Sequence, residues 1–447
     1  MARTIFINAN LIDGHGPARR GIAVAVEGNR IVAVQPQDEL KSTPDDQIID
    51  LKGASLMPGL FQCHMHAAMD DAQSFVELDM KYPPNYLTLV AARNLYRMAQ
   101  LGFTSMIGAG SPANIDVVLK HAINGGIFTG PRVFACGHHI STTGESLDFH
   151  PGFWQSSLQG FGLVADGPQE FRKAVRQEIK DGADIVKVHT TGGHGSNYPA
   201  RFLTVGNDEL RAATEAAHER GKKIRTHTVG KAGILAATRM GVDLLDHVDH
   251  LDDECIEAFL EHGTTITIGL HVMLRLITVL EAAAKQPRRK DPMSSPFFSA
   301  TDRSDTRAPY EAVEHYREFV PKAVKAGVNI VLGDDTGGGI VPHGAYADEM
   351  VTCAEELGLD PLDVLQWATR NPGRFMANGD LGLIAEGCLA DMIVVEGDPS
   401  QNIRCLNESA NIRAVMKDGL FIKPLLPTSQ GDSQDLTALV FNRGLIQ

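Results

Sequence analysis

Residues 55–66 read SLMPGLFQCHMH. An apolar run that closes on two histidines two residues apart is the pattern from which the fold is read. Side chains alternate across a β-strand, so His64 and His66 face the same side and can grip one ion together. Runs of similar apolar, strand-like character recur at TSMIGAG (104–110), PRVFACG (131–137), ADIVKVH (183–189), KKIRTHT (222–228), DLLDHV (243–248), TTITIGL (264–270) and NIVLGDD (329–335). Helical candidates lie between them, such as LTLVAARNLYRMAQLG (87–102) and NDELRAATEAAHERG (207–221). Each of these ends in Gly, which suits the position just past a helix. Eight strand-then-helix units over about 320 residues predict an α/β fold, a (β/α)8 TIM-like barrel with insertions. A doubly wound sheet would want a GxGxxG after its first strand, and none is there.

The flanks have a different texture. TIFINANLID (4–13), GIAVAVEGNRIVAV (21–34) and QIIDLKG (47–53) are β-like and separated by turn residues, and ADMIVVEGD (390–398) and IRAVMKDGLFIK (412–423) match them near the other end. Neither end has enough apolar surface to fold alone, so the two ends are expected to pair into one small β-sandwich. The predicted organisation is residues 1–57 and 378–447 in that sandwich, including a loosely packed tail, with the barrel over 58–377.

Composition excludes some partners. The 447 residues carry 41 Lys plus Arg against 55 Asp plus Glu, a formal charge of −14. Nucleic-acid binding needs clustered cations, and the one tight basic run, Arg288, Arg289 and Lys290, reads as a solvated loop. No stretch approaches the roughly 20 apolar residues of a membrane helix, and the start MARTIFINANLIDG lacks a signal-peptide pattern. The six cysteines form neither a CxxC pair nor a secreted disulfide framework, so the expected location is cytoplasmic.

Catalytic groups of such a barrel project from the C-terminal ends of its strands. That rule collects His64, His66, Lys187, His227, His247 and Asp335, residue types that bind divalent transition metals. Lys187 is out of place, because a free lysine should not lie within apolar IVKV beside metal ions. Either it is neutral and catalytic, or carbon dioxide has carboxylated it to an anion that bridges two metals.

PGLFQCHMH, the lysine of the fourth run, the histidines of the fifth and sixth and GDDTGGGIVPHG (333–344) together resemble the amidohydrolase superfamily, within it the imidazolonepropionase-like and prolidase-like branch of metal-dependent amidases. The resemblance covers almost the whole chain. It implies a binuclear site, usually of two zinc ions, held by His64, His66, carboxylated Lys187, His227, His247 and Asp335. It also implies His247 rather than His250 and Asp335 rather than Asp334 as ligands. Three departures stand out: Gln62 where the family has Asp, Asp334 where it has Thr, and TTGES (142–146) where it has TGGHG.

The function so implied is hydrolysis of an amide-type C–N bond by metal-activated water, with Asp335 as general base and then acid. An N-acyl amino acid or dipeptide-like substrate is preferred. The alternatives are a xenobiotic carbamate, thiocarbamate or urea such as a phenylurea, a cyclic amide or imidazolone, and, outside enzymes, a metal-binding protein that has lost catalysis. His139, His189, His194, Tyr198 and Arg201 are the candidate substrate contacts, and 271–307 is a candidate lid. A homo-oligomer is the assembly the resemblance implies.

Overall fold

A computed structural model of the chain describes residues 2–70, 75–145, 147–148, 160–193, 198–285, 306–337 and 340–425. Every one of the eight predicted runs carries a strand: β1 (Leu60–Met65), β2 (Phe103–Gly108), β3 (Arg132–Phe134), β4 (Ile185–His189), β5 (Lys223–Thr228), β6 (Leu244–His247), β7 (Thr265–Ile266) and β8 (Asn329–Ile330). β1, β2 and β3 form one parallel sheet, and β4 to β8 run in chain order through a second. Backbone hydrogen bonds connect the two sheets at both ends. Asp184 N donates to Ala135 O at 2.7 Å just before β4, and Cys63 N in β1 donates to Leu332 O at 2.8 Å just after β8.

Three details depart from the sequence reading. The first run serves two sheets: Ser55–Pro58 pairs antiparallel with Met392–Val395, and β1 begins after Gly59. A side chain could not occupy this junction, since a Cβ on Gly59 would lie 2.1 Å from Thr104 Oγ1. The seventh and eighth runs hold only two strand residues each, because their later residues turn away into the loops that carry function. Two further strands, His139–Ser141 and Gly162–Val164, extend the second sheet beside β4. Three residues of mixed polarity are too few to show a two-residue period.

The helices pack apolar stripes over these sheets. Helix Pro84–Gln100 opens with Pro at N1 and buries Leu87, Ala91, Leu95 and Met98, the three- and four-residue spacing of one face. Helix Gly167–Asp181 ends on Gly182 at φ 119, where a left-handed conformation is free only to glycine.

Near the ends of the chain lie two smaller sheets. One contains Thr4–Ile7, Ile22–Glu27, Arg30–Pro36 and Gln47–Asp50; the other contains Asn10–Leu11, Ser55–Pro58, Met392–Val395, Ile412–Lys417 and Leu420–Lys423. Phe6, Val24 and Val26 from the first share an apolar cluster with Leu56, Met392, Val394 and Met416 from the second. Burying such side chains contributes about 1.5–3 kcal/mol each. All six cysteines are free and buried. Among the described residues no helix is long and apolar enough to cross a membrane.

Candidate metal centre

His64 and His66 leave β1 on one side, as their spacing predicts, and Asp335 meets them from the loop after β8. His64 Nε2 lies 3.4 Å and His66 Nε2 3.1 Å from Asp335 Oδ1. His247, at the end of β6, approaches the His64 ring to 4.9 Å between centroids, and His227 of β5 stands 4.6 Å from His247. His250 lies elsewhere, 5.4 Å from the ring of His315.

The donor set suits a divalent cation. His66 Nδ1 sits 3.1 Å from the carbonyl oxygen of Gly110, which can only accept, so Nδ1 carries the proton and Nε2 is the nitrogen turned to Asp335. Burial holds the His64 imidazole well below its ordinary pKa, so it is neutral. Two imidazole nitrogens and a carboxylate oxygen converging on one point are the nitrogen and oxygen donors that a divalent cation takes. The ligand atoms of His64, His66 and Asp335 fall within 4.8 Å of one another, which gives such a cation three donors.

Lys187 is fully buried, and its Nζ forms an ion pair with Asp246. Its partner is Asp246 and not the Asp335 that meets His64 and His66. Asp246 also receives Arg225 Nε at 3.0 Å and Thr267 Oγ1 at 3.2 Å, while Arg225 Nη1 donates to Gly108 O at 2.7 Å. Arg225 has no exposed surface, so a guanidinium spans the interior from β5 to β2 and β6. Neither Arg225 nor Asp246 stands out in sequence, because only strand register brings them together.

The departures at positions 62 and 334 are one exchange. Gln62 Nε2 donates to Asp334 Oδ1 at 3.0 Å, and Thr336 Oγ1 donates to the same oxygen. The carboxylate that the related pattern has on the first strand is here on the segment after β8, with an amide facing it. Burial pushes the Asp334 carboxyl well above its ordinary pKa.

Backbone strain marks the same end of the sheets. His247 (φ 77) and Asp335 (φ 53) occupy the left-handed region without being glycine, a cost of about 1–2 kcal/mol each. Tyr316 Oη, buried, donates to His247 O at 2.7 Å and holds that turn.

His139 lines the site beside His66, with ring centroids 5.7 Å apart, and packs on Phe161 at 4.6 Å. It is 4% exposed, and neither ring nitrogen meets a partner at hydrogen-bond geometry. Burial lowers its pKa, so it is neutral and carries one unsatisfied N–H. His189 stacks parallel on His227 at 4.1 Å, and its Nδ1 lies 3.2 Å from Glu145 Oε1. His138 turns away to Glu178, with Nδ1 to Oε1 at 3.0 Å. Tyr198 is exposed, as is Arg201, whose guanidinium lies over Phe202. His194 and residues 286–305 of the proposed lid lie outside the described residues.

Gly110 escaped the sequence reading. Its carbonyl fixes the His66 tautomer, and a Cβ there would sit 1.9 Å from the His139 ring, at φ 125. Gly110→Ala is expected to lower bound metal and activity together by at least tenfold, since disturbing the partner that orients a ligating histidine costs about 10–100-fold. Metal analysis and initial rates check this; wild-type values for both would refute it.

The model of the amidohydrolase family matches residues 55–422. The ochratoxinase of Aspergillus niger is 30% identical over 446 residues, covering 94% of this chain and 86% of that protein. The crystal structure of A. niger ochratoxinase aligns with a TM-score of 0.79 at 27% identity, covering 94% of this chain and 96% of that one. A Xaa-Pro dipeptidase with methionine bound in its active site aligns at 0.80 and 28% identity, covering 95% and 100%. A prolidase complexed with N-methylphosphonate-L-proline aligns at 0.82 and 27% identity, covering 94% and 100%. These likenesses put the fold in the TIM-barrel-type α/β class.

Proposed function

Because this chain belongs to the amidohydrolase family and is a hydrolase acting on carbon–nitrogen bonds, we propose that it cleaves the amide bond of an N-acyl amino acid or a dipeptide-like substrate. The observation that carries the reading is the convergence of His64 Nε2 and His66 Nε2 on one oxygen of Asp335. The names of the aligned dipeptidase and prolidase support the substrate class.

In this reading His64, His66, Lys187, His227, His247 and Asp335 hold two divalent ions, zinc by resemblance. Bound there, the ions supply an electrophile for the substrate carbonyl and lower the pKa of water towards about 7. Asp335 takes the proton of the attacking water on its carboxylate and delivers it to the nitrogen of the breaking C–N bond. His139 offers its unsatisfied nitrogens to the substrate, and Phe161 beside it keeps that wall apolar.

Carboxylation of Lys187 belongs to the same reading. Nζ adds to the carbon of carbon dioxide, an N–C bond forms as one C=O π pair moves onto oxygen, and the proton lost from nitrogen passes to water through the Asp246 carboxylate beside it. Burial lowers the pKa of this lysine, which favours the free amine that the addition needs. We also read the two sheets of β1 to β8 as one (β/α)8 barrel over 58–377, and the end sheets as a sandwich of 1–57 with 378–447. The backbone bonds at Ala135 and Leu332, and the shared cluster around Phe6 and Met392, support this.

Purified protein is expected to hold one to two equivalents of a transition metal, lose hydrolysis on chelation and regain it with zinc. A panel of N-acyl amino acids, dipeptides, carbamates, ureas and lactams should show the first two turned over fastest. A metal-free enzyme with full activity would overturn the scheme, and a preference for ureas or lactams would overturn the substrate.

A further inference from the structure

The loop that departs from the family pattern, TTGES, carries a buried carboxylate into the wall of the site. Glu145 is 1% exposed. Its position is held from three sides: its own N–H donates to Thr142 O at 3.2 Å, its carbonyl accepts Asp148 N at 2.9 Å, and Oε2 accepts Ser141 Oγ at 3.0 Å. Oε1 then faces His189 Nδ1 at 3.2 Å. A carboxylate accepts, so Nδ1 carries the proton and Nε2 is the nitrogen turned away from Glu145. The ring is further fixed by its parallel stack on His227, 2° from coplanar at 4.1 Å, and it stands 5.6 Å from His139.

We propose that Glu145 is a positioning residue which locks His189 into the Nδ1–H tautomer, so that Nε2 is a hydrogen-bond acceptor reserved for an N–H or O–H donor on the substrate. This rests on the hydrolase reading above and narrows it. The site selects secondary amides, or amides carrying a free donor, over fully alkylated ones. The other tautomer would present a second donor beside His139 and favour a substrate with acceptors only. Glu145→Gln keeps an oxygen acceptor for Nδ1–H, whereas Glu145→Ala removes it and frees the ring.

The test uses the full zinc-loaded chain. Long-range nitrogen–proton spectra of histidine-labelled protein, with the His189 signals assigned by their loss in His189→Asn, should show the Nδ1–H form in wild type and in Glu145→Gln. In Glu145→Ala the Nε2–H form should appear. In kinetics, the amide that wild type turns over fastest is compared with its N-methylated analogue. Glu145→Ala should raise KM for the N–H substrate about tenfold more than for the analogue, the size of one lost hydrogen bond, with Glu145→Gln restoring most of the difference. An Nε2–H tautomer in wild type, an unchanged tautomer in Glu145→Ala, or equal effects on both substrates would overturn the proposal. A wild type that hydrolyses no amide would instead overturn the hydrolase reading, and the spectra would still decide the tautomer.

Discussion

Asp335→Asn should cost about 10²–10⁴-fold in kcat, the range for removal of a general base, while the protein stays folded and keeps most of its metal. Asparagine preserves the shape and an oxygen donor beside His64 Nε2 and His66 Nε2, which lie 3.4 and 3.1 Å from the carboxylate oxygen. What it removes is the ability to take up a proton. The effect should fall on kcat more than on KM, because an amide oxygen can still help to hold the centre. Metal content, circular dichroism and steady-state kinetics on the same preparation check it. Activity within tenfold of wild type would refute the role of Asp335 as base, and loss of metal in step with activity would recast it as a ligand alone.

Asp246→Ala is expected to give the largest loss of stability, about 3–5 kcal/mol, because it strands the buried Arg225 guanidinium. Arg225 is fully buried and pairs with this carboxylate, which the unmodified Lys187 Nζ also meets before carboxylation. Asp246→Asn should be milder, since the amide oxygen still accepts a hydrogen bond from Arg225. Matched thermal melts or inactivation half-lives measure the difference, and a change below about 1 kcal/mol would show that the network carries no net stabilisation.

The pH dependence has a definite sign. Burial alone would raise the Asp246 carboxyl, but the fields of Arg225 and Lys187 win and hold it well below the usual range. The unfolded carboxyl protonates near about 3.9. Between that value and the lower folded one, the unfolded chain binds more protons, so stability rises with pH there. The contribution is complete above about pH 5 and is lost as pH falls through the folded pKa. Asp246→Ala should therefore flatten the acid limb of the stability curve as well as lower its plateau.

Much of this molecule is legible in one dimension. The eight apolar runs, the glycines that end the helices and the two-residue spacing of His64 and His66 are local patterns with local physical causes, and every run carries a strand, although the first is split between two sheets and the seventh and eighth keep two strand residues each. The choices of Asp335 over Asp334 and His247 over His250 came from the family pattern; in the structure Asp335 lies beside His64 and His66, Asp334 is bonded to Gln62, His247 lies beside His64 and His250 against His315. Other features left no trace in the sequence. The break at Gly59 depends on Thr104, 45 positions away by number. The exchange between Gln62 and Asp334 spans |i−j| = 272, and the Glu145 to His189 bond spans 44.

By sequence alone the chain determined its strand and helix periods, its acidic exterior and the residue types able to hold a cation, because alternation, helical spacing and charge are properties of neighbours along the chain. The tertiary structure alone decided which acid faces Lys187, which carbonyl orients His66 and which carboxylate sets the tautomer of His189. Those are matters of strand register and loop path, and a hydrogen bond or buried ion pair acts only over a few ångströms between atoms that the sequence keeps far apart.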